Sequence, residues 1–153
     1  MKEGEIEKSP FLTIGQVGVV VKDLDKFIEF YSSLGIGPFK PSDMAPTIER
    51  KVRGKVANYK TKMRVAQVGQ VELEVSQPLG GECAQREFLE SKGEGINHLG
   101  FFVDDLDKEV AKLTERGFKV IQSGRNAKGN KFAYFDTTAI GGIILELIQR
   151  EWE

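Results

Sequence analysis

The sequence predicts an α+β fold built from two tandem modules, each with the order strand, helix, strand, strand, strand. The first observation is a repeat without gaps, since residues 14–26 read IGQVGVVVKDLDK and residues 96–108 read INHLGFFVDDLDK. The second is that the ends of the two halves also match, because Leu73-Glu74 aligns with Leu145-Glu146. A repeat of this length indicates two copies of one unit that bury a shared core.

The first module is assigned to residues 13–78 and begins with a strand. Residues 11–21 are β-branched and almost continuously apolar, which is typical of a buried strand. A helix follows, with Asp23 or Asp25 as its N-cap and Gly35 as the residue that ends it. The remaining elements are, in order, a loop that enters a strand at 40–55 and two strands of alternating polarity at 58–67 and 69–77.

The second module is assigned to residues 96–150 and repeats this scheme after a short helix at 83–92. Its own helix spans 105–116 and ends at Gly117, as the first module's helix ends at a glycine. Its strands are expected at 96–103, 118–122, 131–135 and 143–149, with a turn at 124–130. The first module is the longer one, and its excess lies between residues 36 and 68. Together the modules are expected to form one domain over residues 1–153.

The composition excludes several classes of partner and site. Of the 153 residues, 40% are hydrophobic and 29% are charged, as is ordinary for a soluble globular protein. A net charge of −1 gives no general attraction to nucleic acid or to a membrane surface. Cys83 is the only cysteine, so neither an intrachain disulfide nor a thiolate metal cluster can form. The N-terminal residues carry no secretory pattern, and we expect a cytoplasmic protein without a membrane span.

Four polar side chains fall at equivalent points of the two modules. Gln16 and His98 lie on the first strands, and Glu74 and Glu146 lie on the last strands. A pseudo-twofold arrangement would bring them around one centre, where the mixed N/O set suits Zn, Co, Ni, Mn or Fe(II). Taken singly, a histidine in an apolar strand is more often a hydrogen-bonded core residue, but an unpaired buried carboxylate is costly. Glu72 lies on the same strand face and remains an alternative ligand.

The segment 50–64 holds seven basic residues and no acidic one. One interpretation is a docking surface for an anionic substrate tail, such as the phosphates of coenzyme A. The other is a solvated strand edge whose lysines prevent edge-to-edge aggregation.

Four segments resemble the vicinal oxygen chelate superfamily, which has the glyoxalase fold, and are most similar to methylmalonyl-CoA epimerase-like proteins. They read IGQVGVVVKDLDKFIEFYSSLGIGPF, VELEVSQPL, FLESKGEGINHLGFFVDDLDK and GGIILELIQ. The resemblance implies a curled mixed sheet around a cavity that holds a divalent ion, Co, Ni, Zn or Mn, with Gln16, Glu74, His98 and Glu146 as ligands. Epimerases of this family usually carry His where this chain has Gln16, and commonly Gln where it has Glu74. The present set is more similar to that of some glyoxalase I enzymes.

The function implied is a metal-dependent isomerase that removes a proton next to a carbonyl, acting on an acyl-CoA or similar small carbonyl compound. Glu146 and Glu74 are the candidate acid/base pair on opposite faces of the substrate, and Glu49 is a weaker candidate. One alternative is a lyase of the glyoxalase I (lactoylglutathione lyase) type, and another is a small-molecule-binding protein without chemistry. A dioxygenase is disfavoured, because it typically needs two histidines and this chain has one. Similar proteins are commonly homodimers, and we expect the same here.

Overall fold

The structure is a computed structural model and describes residues 2–6 and 9–151. The helices of these residues are α1 Glu3–Ile6, α2 Leu24–Ser33, α3 Ala84–Lys92 and α4 Leu106–Glu115. The strands in the first half of the chain are β1 Gln16–Val20, β2 Lys40–Pro41, β3 Thr47–Val52, β4 Lys55–Val56, β5 Lys60–Val68 and β6 Val71–Gly80. The strands in the second half are β7 Gly95–Phe102, β8 Val120–Asn126, β9 Lys131–Phe135 and β10 Ile144–Gln149. No helix in this part of the chain is both long and apolar enough to cross a membrane.

All ten strands belong to one curled, mixed sheet with the order β2-β5-β6-β1-β7-β10-β9-β8-β3-β4. Each half has the same internal pairing, because β1 is parallel to β6 and β7 is parallel to β10. The two first strands, β1 and β7, pair antiparallel at the centre of the sheet. The α+β fold predicted from the repeat is therefore confirmed, and the pairing of the first strands lies at its pseudo-twofold centre.

The repeated stretch encodes the same helix start in both halves. Asp23 is the N-cap of α2 and Asp105 is the N-cap of α4, and each carboxylate accepts a hydrogen bond from the backbone N–H three residues on, at 3.0 and 3.1 Å. Both helices are followed by a glycine at φ +90°, Gly35 and Gly117, a conformation that other residues adopt at a cost. The helix ends predicted from these residues are confirmed.

A second pair of equivalent residues fastens each helix to the last strand of its module. Gln77 accepts a hydrogen bond from the backbone N–H of Leu24 at 3.0 Å. Gln149 accepts one from the N–H of Leu106 at 2.9 Å. Because a free N–H of the first helical turn would otherwise face an apolar core, these amides help to fix the position of the helices on the sheet.

The packing leaves one face of the sheet for the cavity. Leu147 is fully buried with Phe101, Leu106 and Leu113 in a core between α4 and the sheet. A smaller core, around Leu24, lies under α2. Since side chains alternate along a strand, the residues between these core positions face the opposite side of the sheet.

Two predicted boundaries were wrong. The first strand covers Gln16–Val20 rather than 11–21, because residue 11 lies before the strand and its ring packs on Phe101, with centroids 5.1 Å apart. The strand predicted at 118–122 continues to Asn126. The turn is tighter than expected since the Asn126 side chain accepts hydrogen bonds from the N–H groups of Lys128 and Asn130.

The extra length of the first module, between residues 36 and 68, forms a hairpin that leaves its own half. Residues 40–55, interpreted as a loop entering a strand, contain β2, β3 and β4. Strand β3 pairs antiparallel with β8 of the second half, with a bulge between Ile48 and Lys51. The prediction was incomplete here because a strand's partner depends on which sheet edge is open, which the local pattern does not encode.

Candidate functional site

The four predicted ligand residues meet at the centre of the sheet. The antiparallel pairing of β1 and β7 brings Gln16 to His98, and the parallel neighbours β6 and β10 add Glu74 and Glu146. Atom Nε2 of His98 lies 3.0 Å from Gln16 Oε1, 3.0 Å from Glu146 Oε2 and 3.7 Å from Glu74 Oε1. All four side chains are buried. Three oxygens from three strands therefore surround one imidazole nitrogen.

The alternative ligand, Glu72, is engaged elsewhere. Arg150 donates to both of its carboxylate oxygens, at 2.7 and 2.8 Å. Glu72 in turn accepts a hydrogen bond from Gln16 Nε2 at 3.2 Å. The structure thus places Glu74 against His98, and it places Glu72 where it turns the amide oxygen of Gln16 toward His98.

The tautomer of His98 follows from its other neighbour. Nδ1 lies 2.7 Å from Asn97 Oδ1, which can only accept, so the proton is assigned to Nδ1. The neutral ring then directs the lone pair of Nε2 at the three oxygens. Lone pairs that converge in this way repel each other unless a cation, either a proton or a metal ion, lies between them.

The buried charges shift one another's protonation. Burial raises the pKa of Glu74 to about 7, with the His98 ring opposing the rise and the Glu146 carboxylate reinforcing it. Burial alone would lower the pKa of His98, but the attraction of Glu146 and Glu74 outweighs it, and the pKa lies above its ordinary 6.5. At neutral pH the cluster therefore binds and releases a proton as a coupled unit.

The donor set fits a divalent cation chemically. Glu146 Oε2 is buried and makes no hydrogen bond within the described residues, although Nε2 lies 3.0 Å away. In the same part of the chain no three His, Cys, Asp or Glu side chains are already spaced around a common ion position. The oxygens instead lie against Nε2 itself, so an ion would replace these direct contacts. Two carboxylates, an amide oxygen and an imidazole nitrogen are hard to borderline ligands of the kind that Mn, Co, Ni and Zn accept.

A cavity of about 470 Å³ opens beside this cluster. Glu74 and Glu146 contribute to its lining, together with the buried side chains of Met44, Phe132 and Tyr134. This volume lies in the range of about 300–1,000 Å³ that is usual for small-molecule sites. The cluster is therefore accessible to a small ligand from one side of the sheet.

Glu49, the weaker candidate for the base, lies away from this cavity. It lies in the bulge of β3 with φ +49°, is exposed, and pairs with Arg125 at 2.5 and 2.6 Å. The hydrogen bond from Arg125 lowers the pKa of this carboxyl. Glu49 lines a separate groove of about 360 Å³ between β3 and α4, which contains none of the four cluster residues. The structure therefore gives no support to Glu49 as the base.

The basic segment 50–64 is divided between different surroundings. Its basic residues that line the cavity are Arg50, Lys60, Lys62 and Arg64. Among these, Lys62 also pairs with Asp25 at 2.8 Å, and the Arg50 guanidinium packs over the Tyr59 ring at 5.2 Å. Arg53 pairs with Glu87 at 2.6 Å outside the cavity. Part of the segment therefore lines the cavity, and Lys55 lies on the edge strand β4. Docking of an anionic substrate tail stays a prediction.

Sequence reasoning missed the role of two glycines in the repeated stretch. Gly18 and Gly100 each come two residues after a cluster residue. A Cβ on Gly18 would overlap the His98 ring, and one on Gly100 would lie 2.9 Å from Gln16 Cβ and 3.3 Å from Glu146 Oε2. Each glycine therefore makes room for a cluster residue of the other module, and its recurrence in both copies was the available signal.

Comparison with known proteins agrees with this architecture. A family model described as "Glyoxalase/Bleomycin resistance protein/Dioxygenase superfamily" matches residues 15–134. The uncharacterized protein YqjC of Bacillus subtilis is 28% identical over 96 residues, which cover 61% of this chain and 69% of that protein.

Solved structures are similar in fold at low sequence identity. Methylmalonyl-CoA epimerase from Mycobacterium tuberculosis superposes with a TM-score of 0.65 at 22% identity, covering 91% of this chain and 88% of that one. A variant of the Streptomyces coelicolor epimerase in complex with 2-nitronate-propionyl-CoA gives 0.67 at 19% identity, covering 91% and 97%. The hypothetical protein BH1468 of Bacillus halodurans gives 0.66 at 19% identity, covering 92% and 96%. With the family model covering most of its length, the chain belongs to the glyoxalase/bleomycin resistance protein/dioxygenase superfamily.

Proposed function

We propose that the protein is a metal-dependent isomerase that abstracts a proton next to the carbonyl of an acyl-CoA, as a methylmalonyl-CoA epimerase does. The observation that carries the proposal is the convergence of Gln16, Glu74, His98 and Glu146 beside a cavity. Similarity to epimerases supports the choice of reaction, although at this identity it establishes only the fold.

The four cluster residues would hold the ion, and a bound divalent ion supplies positive charge that stabilises a developing enolate oxygen. The chain itself supplies the proton transfers. Glu74 lines the cavity beside His98 and is the carboxylate suited to accept a proton from the substrate carbon. Glu146, protonated before the reaction, would give its proton to the other face of the same carbon, and Glu74 would keep the proton that it removed, so that no proton is gained or lost overall. Asn97 keeps His98 in the tautomer that directs Nε2 at the ion.

The cationic side of the cavity supports an acyl-CoA as substrate. Lys60 and Arg64 line the same cavity as Glu74 and Glu146. Their positive charge would attract the phosphates of the nucleotide tail, while the acyl group occupies the cavity beside the cluster.

A lyase of the glyoxalase I type is the second candidate. The cluster combines two carboxylates with one amide and only one imidazole. This combination is more similar to that of some glyoxalase I enzymes than to the epimerase set. Both reactions begin with removal of a proton next to a carbonyl, so the cluster serves either, and the substrate distinguishes them.

The decisive experiment measures metal content and substrate proton exchange together. The purified protein, loaded in turn with Co, Ni, Zn or Mn, is incubated in deuterated water with methylmalonyl-CoA or with the hemithioacetal of methylglyoxal and glutathione. We expect deuterium in methylmalonyl-CoA and loss of this activity by at least about a hundredfold in Glu146→Gln. Glu49→Gln removes an exposed carboxylate outside the cavity and serves as the matched control.

Three other outcomes would change the conclusion. Turnover of the hemithioacetal alone would establish the lyase. Bound metal without exchange in either substrate would favour a binding protein, and wild-type turnover in Glu146→Gln would refute the proposed site. Light scattering on the same preparation tests the proposed homodimer.

A further inference from the structure

A tyrosine outside the predicted set lies directly beside the cluster. Tyr134 on β9 pairs in register with Glu146 on β10, and its ring centroid lies 5.0 Å from that of His98. It is 2% exposed and lines the same cavity as Glu74. Its hydroxyl group is therefore a polar group within the reaction space for which the proposed chemistry has no role.

A chain of buried hydrogen bonds fixes the orientation of this hydroxyl. The backbone N–H of Ala84, at the first turn of α3, donates to Gln122 Oε1 at 2.7 Å, which assigns the amide oxygen of Gln122 without ambiguity. Gln122 Nε2 then donates to Gln85 Oε1 at 3.1 Å. Gln85 Nε2 consequently donates to the Tyr134 hydroxyl oxygen at 3.2 Å.

The direction of these hydrogen bonds determines whether the Tyr134 hydroxyl can donate to a ligand. In each of these hydrogen bonds the donor lies on the side away from Tyr134 and the acceptor on the side toward it. The phenol oxygen is therefore an acceptor, and its own hydrogen remains available. Among residues 2–6 and 9–151, the hydrogen bond from Gln85 is the one contact of this kind that the Tyr134 hydroxyl makes, and in it the hydroxyl accepts. A buried donor without a partner costs free energy unless a ligand accepts its hydrogen bond.

We propose that the Tyr134 hydroxyl donates a hydrogen bond to the carbonyl oxygen of the substrate, and that Gln85 and Gln122 position it. This inference rests on the proposed function, because the hydrogen bond strengthens as that oxygen acquires negative charge on loss of the α-proton. No proton leaves the tyrosine in this scheme, so the phenol stays neutral throughout. The substrate class that it recognises is one with a carbonyl oxygen next to the acidic carbon.

The test removes the hydroxyl and keeps the ring. Tyr134→Phe should lower kcat for deuterium exchange into methylmalonyl-CoA by about a hundredfold, with KM changed much less, because the donor acts mainly on the charged oxygen. Gln85→Met should lower kcat by about tenfold, since the phenol stays but is less well oriented. Tyr31→Phe, which removes a hydroxyl on α2 outside the cavity, is the matched control and should equal the wild type. Metal content and the far-ultraviolet spectrum of each variant must match the wild type for the comparison to count.

A binding measurement separates failure of this inference from failure of the proposed function. Oxalate presents two adjacent anionic oxygens, and calorimetry with the metal-loaded protein should give about tenfold weaker binding in Tyr134→Phe than in the wild type. If the wild type fails to exchange methylmalonyl-CoA but this difference is found, the proposed function is wrong and the donor role stands. Equal oxalate affinity in both proteins, no oxalate binding by the wild type, or wild-type kcat in Tyr134→Phe would each overturn the donor role.

Discussion

Replacement of Arg150 with methionine should destabilise the protein far more than removal of an exposed arginine of the same geometry. The guanidinium donates twice to Glu72, at 2.7 and 2.8 Å, and also lies 2.8 Å from a carboxylate oxygen of Asp43. The side chain of Arg150 is 7% exposed and that of Glu72 is 15% exposed. Methionine fills much of the same volume but leaves the Glu72 carboxylate without its countercharge.

The expected loss follows from this burial. Removal of one partner of a buried ion pair costs about 3–5 kcal/mol, and the residual exposure of Glu72 places the value near about 3 kcal/mol. For a chain of this size, each kcal/mol lowers Tm by about 2–4 °C, so the shift should be about 6–12 °C. The affinity for a divalent ion should also fall, because Glu72 holds the amide of Gln16 in place.

The assay is urea unfolding of Arg150→Met beside Arg125→Met. Arg125 also makes a two-point contact with a glutamate, Glu49, but the two side chains are 47% and 58% exposed. Its loss should therefore cost no more than about 1 kcal/mol. Adding Glu72→Gln to Arg150→Met should recover stability, since the unpaired charge disappears. Equal losses in the two arginine variants, or no recovery in the double variant, would refute the reasoning.

Three further predictions concern the centre of the sheet. In the metal-free protein, the pKa of Glu74 is raised from 4.5 to about 7, because the charged form is buried. The free energy of unfolding should therefore fall as pH rises from about 4.5 through 7. The raised pKa of His98 acts in the same direction. Urea unfolding at pH 5.5 and 8 should show this trend in the wild type and a weaker one in Glu74→Gln, and an equal slope in both would contradict it. Gly18→Ala should lower the free energy of unfolding by about 1–3 kcal/mol and abolish metal binding, because the added Cβ meets the His98 ring. In the same unfolding assay, Gly80→Ala should change little, since a Cβ at this position has open space. Asn97→Leu should weaken metal binding by about 10–100-fold in a chelator competition, because His98 Nδ1 loses its acceptor, and unchanged affinity would exclude that role for Asn97.

The repeat explains why the cluster could be predicted and parts of its surroundings could not. Equivalent positions in two copies of one fold must meet at the symmetry centre, so Gln16 and His98 were placed correctly from their alignment alone. Alternation along β6 puts Glu72 and Glu74 on one face and cannot choose between them. The alignment of Leu73-Glu74 with Leu145-Glu146 favours Glu74, whereas the ion pair of Glu72 with Arg150, which follows β10, is a property of the folded chain. Similarly, the sequence around Glu49 does not show that β3 pairs with β8 of the second half, near the far edge of the sheet.

Because the β3–β4 hairpin crosses to the second half, substitutions at the central cluster and substitutions in the cavity lining should have different effects. Substitutions at the cluster act on both halves, because each module contributes residues to the same centre. The cavity, in contrast, is lined mostly by residues between 41 and 64, a segment that includes the β3–β4 hairpin of the first half. Changes in the length or polarity of this one segment can therefore alter which molecules enter without disturbing the residues that would act on them.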